Sequence, residues 1–232
     1  MAEQMSFDVI FIDADNTLFD FDQTQQNAIT DSLSQFSLPS HAEAIAHYNR
    51  INRDCWRLHN EGVIQNRDIN HLRWRRWIDC MGLNDLVSST QLADHYEASL
   101  ALQCEKEDGA DKLMAYLFDH YPVHIITNGF PAVQAHRWRL AGWQDRLQGM
   151  TISSVVGVKK PDPEIYQLAM KSVGIIDADR CLMIGDDLNS DVQGAQNVGM
   201  KGCWYQRKQA VNETGIKPDY IVRHLAEILN FA

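Results

Sequence analysis

The sequence predicts a doubly wound α/β core whose first strand is followed by a long helical insert. Three observations lead there. From residue 104 onward, short apolar strand-like segments alternate with helical patterns, the mark of a parallel sheet covered on both faces. Between about 22 and 103 the spacing is helical throughout, with no strand pattern in it. The chain has 232 residues, enough for one sizeable domain that carries a smaller one inside it. The expected division is 1–17 with 104–232 for the core and 18–103 for the insert. The insert is too long for an ordinary connection and should fold as a helical cap.

The elements follow in chain order. "FDVIFIDADNTLFDFD" opens with an apolar run, and residues 7–13 read as a buried strand. Segments near 23–36, 41–59, 67–81 and 90–102 carry helical periodicity. In the third of these, Trp74, Trp77, Ile78 and Met81 recur at i, i+3, i+4 and i+7, which describes a core face. Arg73 and Arg76 fall off that stripe and are expected in solvent. In "HNEGVIQN", Gly62 interrupts two helical patterns and Asn66 is expected to cap the second. The remainder reads as helix 108–120, strand 123–127, helix 131–141, strand 150–156, helix 163–173 and strand 181–185. Helix 190–197, strands 202–205 and 219–222 and a C-terminal helix complete it. No internal repeat or low-complexity stretch occurs.

Bulk properties narrow the partners. The formal net charge is −10, which repels a phosphate backbone and argues against nucleic acid. A small phosphorylated molecule would need a local cation. The five cysteines, Cys55, Cys80, Cys104, Cys181 and Cys203, form no CxxC pair and are odd in number. They suggest neither a disulfide framework nor a thiolate zinc site, and a reducing compartment suits them. There is no basic leader and no apolar run of the ~20 residues a membrane helix needs. The expected location is the cytosol, away from membranes.

In open parallel sheets ligands bind beyond the carboxyl ends of the strands, so those ends carry the functional reading. The first strand ends in Asp13 and Asp15. Taken alone they fit turn chemistry. A calcium loop starting at Asp13 fails, because Leu18 and Thr24 stand where Gly and Glu are required. "VHIITNG" ends in Thr127, Asn128 and Gly129, a hydroxyl and small residues that can hold a phosphate oxygen or simply cap a helix. "GVKKPDPEIY" places Lys159 and Lys160 before Pro161. "MIGDDLNSD" ends an apolar strand with Asp186 and Asp187, then Asp191. Together these segments deliver carboxylates, a hydroxyl and a lysine to one sheet edge. Crowded carboxylates repel one another. A Mg²⁺ ion, which favours carboxylate and water oxygens, resolves that repulsion. Lys160 and Thr127 would then serve a phosphoryl group.

"DADNT", "TNG", "KKP" and "GDDLNSD", in this order and spacing, resemble the four motifs of the haloacid dehalogenase superfamily. The resemblance spans the whole core, and the insert after the first motif matches the superfamily's helical-cap class. "DADNTLFDFD" with "RDCWRLHNEGVIQNRDINHLRWRRW" resembles more narrowly its nucleoside 5′-monophosphatases, including pyrimidine 5′-nucleotidases. The resemblance implies that Asp13 is the nucleophile, forms an aspartyl-phosphate and binds Mg²⁺. It implies that Asp15 is the acid/base and lends its backbone carbonyl to the metal. Thr127 and Lys160 resemble the phosphate-binding pair, joined by Asn128. Lys160 is chosen over Lys159 because the family lysine commonly precedes proline directly. Asp186 resembles the fourth-motif metal ligand, and Asp191 the second acid, which orients the lysine or a metal-bound water. Asp187 is left without a role. Asn16 replaces a more frequent Gly and tolerates a left-handed backbone.

Two relatives in the superfamily are disfavoured. Dehalogenases lack an acid at the Asp15 position, and phosphonate hydrolases use a cap lysine, for which this insert offers no candidate. The expected reaction is Mg²⁺-dependent hydrolysis of a phosphomonoester, with nucleoside 5′-monophosphates as the favoured substrates. Another small ester, such as a sugar phosphate or phosphoglycolate, is the alternative enzyme reading. A catalytically idle binding protein is the alternative outside enzymes. For substrate recognition the candidates are Phe19 and Phe21 at the entry to the insert and the turn at Glu61 and Gly62. Packing against the cap is the competing explanation for both aromatics, and a plain helix–helix turn is the competing explanation for Glu61 and Gly62.

Overall fold

The computed structural model describes residues 7–232. The chain forms two compact units: residues up to Phe21 with Cys104–Ala232, and Asp22–Gln103.

The first unit is built on six parallel strands: β1 (Val9–Ile12), β2 (Val123–Thr127), β3 (Gly149–Ile152), β4 (Cys181–Gly185), β5 (Lys201–Tyr205) and β6 (Tyr220–Val222), in the order β3-β2-β1-β4-β5-β6. The order reverses at β1, which pairs with β2 on one side and β4 on the other; Ile12 lies opposite both Ile125 and Ile184. Such a reversal opens a crevice at the carboxyl ends of the central strands. The strands are apolar on both faces because both faces are covered. Ile10, Ile12, Val123, Ile125, Leu182 and Ile184 pack under Leu113, Met114 and Leu117 of a helix spanning Ala110–His120. Val9, Phe11, Ile126 and Met183 face Ile165, Tyr166 and Ala169 of the helix Pro163–Ser172.

The second unit is all helical among the described residues: α1 (Phe21–Gln35, its first residue in the core unit), α2 (Ala42–Asn60), α3 (Asn66–Met81) and α4 (Ser89–Ala101). Trp74 is its aromatic centre, with its ring 4.5 Å from Tyr48 and 5.4 Å from Tyr96. Trp77 donates from Nε1 to the Ala44 carbonyl at 2.9 Å. The predicted core stripe of α3 is therefore buried at Trp74, Trp77 and Ile78. The α-helices of the first unit are α5 (Ala110–His120), α6 (Pro131–Leu140), α7 (Ser153–Val156), α8 (Pro163–Ser172) and α9 (Gly194–Gln196).

Four expectations need correction. The strand at 150–156 runs only from Gly149 to Ile152 and then turns into α7. Its partner among the described residues, β2, ends at Thr127 opposite Ile152, so the ladder stops there. The helix at 190–197 starts earlier, with π-type winding over Leu188–Gln193 before α9. The C-terminal helix is a 3₁₀ segment over Leu225–Asn230. Gln65, not Asn66, caps α3, in a reciprocal capping box with Asp68.

Arg73 also departs from expectation. It is 1% exposed, not solvated. Its guanidinium donates to Asn52 Oδ1 at 3.0 Å and Asn70 Oδ1 at 2.8 Å and lies 4.4 Å from the Tyr96 ring centre. Two amide oxygens and an aromatic face replace the water it loses. Arg76 is exposed, as the stripe implied. Among the described residues, no helix is long and apolar enough to cross a membrane.

Candidate active site

β1 runs straight into the crevice. The Asp13 N–H still donates to the Ile184 carbonyl at 2.9 Å, so its side chain leaves from the last position tied to the sheet. The next residues form a tight turn in which Asn16 takes φ 63°, the left-handed geometry that Asn accepts. That turn brings Thr17 back under the acids. Its hydroxyl lies 3.4 Å from Asp13 Oδ2 and 3.4 Å from Asp186 Oδ1. Thr17 was not among the residues singled out from the sequence, although its place four residues after Asp13 in a turn was a usable signal.

Lys160 arrives from the loop before α8 and is buried. Its Nζ donates to Asp13 Oδ1 and, at 2.6 Å, to Asp191 Oδ1. Asn128 clamps the lysine's backbone: its Nδ2 donates to the Lys160 carbonyl at 3.1 Å and its Oδ1 accepts the Lys160 N–H at 3.0 Å. The Asn128 side chain is thus engaged with the lysine loop at both ends of its amide. Thr127 is buried at the end of β2, and its hydroxyl accepts the Gly129 N–H at 3.0 Å.

Asp186 follows β4 directly. Asp187, left without a role by the sequence, caps the next helical segment: its Oδ1 accepts the N–H groups of Asn189 at 2.9 Å and Ser190 at 2.7 Å. That cap and the π winding turn Asp191 inward. Its Oδ2 accepts the Asp187 N–H at 3.0 Å. A Cβ on Gly185 would come within 2.2 Å of the Asp191 carboxylate, so only glycine leaves room for that acid.

The electrostatics follow from crowding. Carboxylate oxygens of Asp13, Asp186 and Asp191 all lie within 4.8 Å of one another. Burial pushes Asp13 up to about 7; Lys160 opposes the rise, while Asp191 and Asp15 add to it. Burial, then the charges of Asp13 and Asp191, push Asp186 well above the usual carboxylate range. Burial tends to discharge Lys160, but Asp13 and Asp191 outweigh it and hold the ammonium charged.

Asp15 points elsewhere. Its Oδ1 accepts from Arg137 Nη1, and its Oδ2 accepts from Gln134 Nε2 at 2.9 Å. Both partners come from α6 and escaped the sequence reading. Their spacing, with Trp138, is i, i+3, i+4 on one helix face. A Cβ on Gly129 would lie 2.4 Å from Gln134 Nε2, 2.9 Å from Asp15 Oδ2 and 3.2 Å from Thr127 Oγ1. Glycine is required where these groups converge.

The substrate-recognition candidates divide. Phe19 is wholly buried in the core unit, with ring centres 5.1 Å from Trp138 and 5.5 Å from Trp143. It is a packing residue and cannot stack on a base. Phe21 is half-buried, its ring 5.8 Å from the Arg137 guanidinium. In the helical unit, Glu61 is exposed and pairs with Arg57 at 2.8 Å, and Gly62 takes φ 75° in the turn after α2.

Known proteins are similar to this chain along most of its length. Pyrimidine 5′-nucleotidase YjjG of Escherichia coli is 31% identical over 224 residues, 97% of each chain. Pyrimidine 5′-nucleotidase PynA of Streptococcus pneumoniae is 27% identical over 97% of this chain and 95% of its own. The crystal structure of the HAD-hydrolase YfnB of Bacillus subtilis, bound to magnesium, superposes with a TM-score of 0.88 at 25% identity, covering 97% of this chain and 98% of that one. L-2-haloacid dehalogenase from Xanthobacter autotrophicus has a TM-score of 0.73 at 20% identity over 97% of each chain, a likeness of fold. Residues 7–199 match the family of haloacid dehalogenase-like hydrolases. With its six-stranded parallel core and a family match across most of its length, the chain belongs to the haloacid dehalogenase-like hydrolases.

Proposed function

We propose that this hydrolase cleaves nucleoside 5′-monophosphates, pyrimidine ones foremost, through a phosphoenzyme on Asp13. The carrying observation is the buried Asp13–Lys160–Asp191 chain beside Asp186 at the sheet's switch point. Phosphomonoester hydrolysis agrees with the family, and the nucleotide preference rests on the named activities of the two full-length relatives.

Mg²⁺ suits the donor set. Hard carboxylate oxygens are crowded together, and burial plus mutual repulsion raise Asp13 and Asp186. We assign the ion to Asp13, Asp186 and the main-chain carbonyl of Asp15, whose carboxylate is held by α6. Asp191 is better used by Lys160 and the Asp187 N–H, which occupy both its oxygens. When bound, the ion neutralises the carboxylates and the incoming phosphate and polarises the phosphoryl oxygens.

The chain's own residues supply the remaining steps. Lys160 and Thr127 bind phosphoryl oxygens and reduce repulsion at Asp13. Asp15 takes up a proton from solvent as substrate binds; an Asp13 oxygen attacks phosphorus as the ester P–O bond breaks, and the bond pair goes to the leaving oxygen, which takes that proton. Asp15, now ionised, takes a proton from water as that water attacks phosphorus. The Asp13–phosphate bond breaks, inorganic phosphate leaves and Asp15 is again protonated. Asn128 keeps the lysine loop in register. In the helical unit we assign substrate reading to Glu61 and Gly62, with Phe21 at its entry. The five free cysteines suit a cytosolic setting.

The test is kcat/KM for a pyrimidine nucleoside monophosphate, a hexose phosphate and an aryl phosphate, with Mg²⁺ and with excess EDTA. The nucleotide should lead, and EDTA should abolish turnover. Asp13→Asn should form no phosphoenzyme. Glu61→Ala should narrow the nucleotide-over-hexose gap by about 1 kcal/mol, at the lower end of base-contact energies. Preference for the hexose phosphate would overturn the nucleotidase reading, and full activity in EDTA would overturn the metal.

A further inference from the structure

A guanidinium in a protein interior normally has several of its donors satisfied, because burying a charge is costly without pairing. Arg137 is 0% exposed. Its ion pair with Asp15 is the interaction that justifies the charge, since Nε and Nη2 are buried with no hydrogen-bond partner among the described residues. The planar group lies 5.2 Å from the Phe19 ring centre, so the position is otherwise an apolar one. A side chain chosen for packing alone at this place would be a leucine or methionine. Gln134 is equally directed. Its Oε1 accepts from Trp138 Nε1 at 3.1 Å, which fixes the amide's orientation and leaves Nε2 aimed at Asp15 Oδ2.

We propose that Gln134 and Arg137 are positioning residues for Asp15. They hold its carboxylate from two sides at the orientation from which it hands a proton to the leaving oxygen and takes one back from water. This rests on the acid/base reading of Asp15 given above. Arg137 grips one oxygen and Gln134 the other, so rotation about the Asp15 Cβ–Cγ bond is stopped. Both anchors stand on one face of a regular helix, and Gly129 keeps the space between that face and the acid clear. A proton carrier held this way loses less orientational freedom on reaching the transition state.

The experiment is rapid-quench measurement of phosphoenzyme formation, with kcat and KM, on an alkyl and an aryl phosphate. The proteins are the wild type, Asp15→Asn, Gln134→Met, Arg137→Met and Arg137→Lys. General acid catalysis contributes on the order of 10²–10⁴-fold, and mispositioning should forfeit part of it. Gln134→Met and Arg137→Met should each slow the alkyl ester by roughly 10- to 100-fold, with KM changed less than about twofold. The aryl ester, which needs little protonation, should lose less than about threefold. Arg137→Lys should lose less of the alkyl-ester rate than Arg137→Met, because a cation again faces Asp15.

If Asp15→Asn discriminates between the esters and the two α6 methionine variants do not, positioning is overturned and the acid/base reading stands. If Asp15→Asn slows both esters equally, the acid reading fails and the proposal falls with it. Should Arg137→Met not fold, Gln134→Met and Arg137→Lys carry the same comparison.

Discussion

Replacing Asp15 by Asn should destabilise the protein as well as impair its chemistry. The reason is Arg137, whose buried guanidinium is ion-paired to that acid. Removing one partner of a buried pair commonly costs about 3–5 kcal/mol, because the other charge stays buried and uncompensated. Two features of this site reduce that figure. The Asp15 side chain is 25% exposed, so water screens part of the interaction. Asp15 also repels Asp13, whose acidity it helps to weaken, and the substitution relieves that repulsion. The expected loss is about 2–3 kcal/mol. At about 2–4 °C per kcal/mol for a chain of this size, the unfolding midpoint should fall by roughly 4–12 °C. The double variant Asp15→Asn/Arg137→Met removes the orphaned charge and should regain at least ~1 kcal/mol over the sum of the single changes. Urea unfolding of the four proteins at neutral pH, followed by circular dichroism, measures both quantities. A single variant within ~0.5 kcal/mol of wild type, or a double variant that is merely additive, would refute the charge argument.

Two further outcomes follow from the same electrostatics. Asp186→Asn should stabilise the metal-free protein on the order of 1 kcal/mol, since it removes one member of a self-repelling cluster; the thermal shift produced by millimolar Mg²⁺ should vanish in it, and an unchanged shift would take Asp186 out of the ligand set. His124 is held neutral by burial, which moves its pKa down to about 4, with one ring nitrogen 2.8 Å from the Thr151 hydroxyl. A histidine with a depressed folded value imposes no penalty above the unfolded value near 6.5 and destabilises progressively as pH falls from there toward 4. Between pH 7 and pH 4 the wild type should therefore lose up to about 3 kcal/mol more stability than His124→Gln. Parallel stability–pH curves would refute the depressed value.

The strands at 123–127 and 181–185 were legible to the residue, because a continuous apolar run bounded by polar turns has one solution in a sheet covered on both faces. The helical unit was legible for the same kind of reason: its apolar residues recur at the helical period, and Trp74 and Trp77 are buried where that period puts them. The convergence of Asp13, Lys160, Asp186 and Asp191 could also be anticipated, since parallel strands deliver their carboxyl ends to one edge. The true end of β3 could not, because it depends on where its neighbour β2 stops. Arg73 was misjudged for a related reason. Periodicity states which face a residue is on, but not whether a second element covers that face. The grip on Asp15 was the least visible feature. Its two anchors lie 119 and 122 residues away along the chain, and nothing local to "DADNT" or to "PAVQAHRWRL" distinguishes a solvated arginine from a buried one. Whether a charge can be buried is decided by the counter-charge that packing brings to it, and that pairing exists only once the chain has folded.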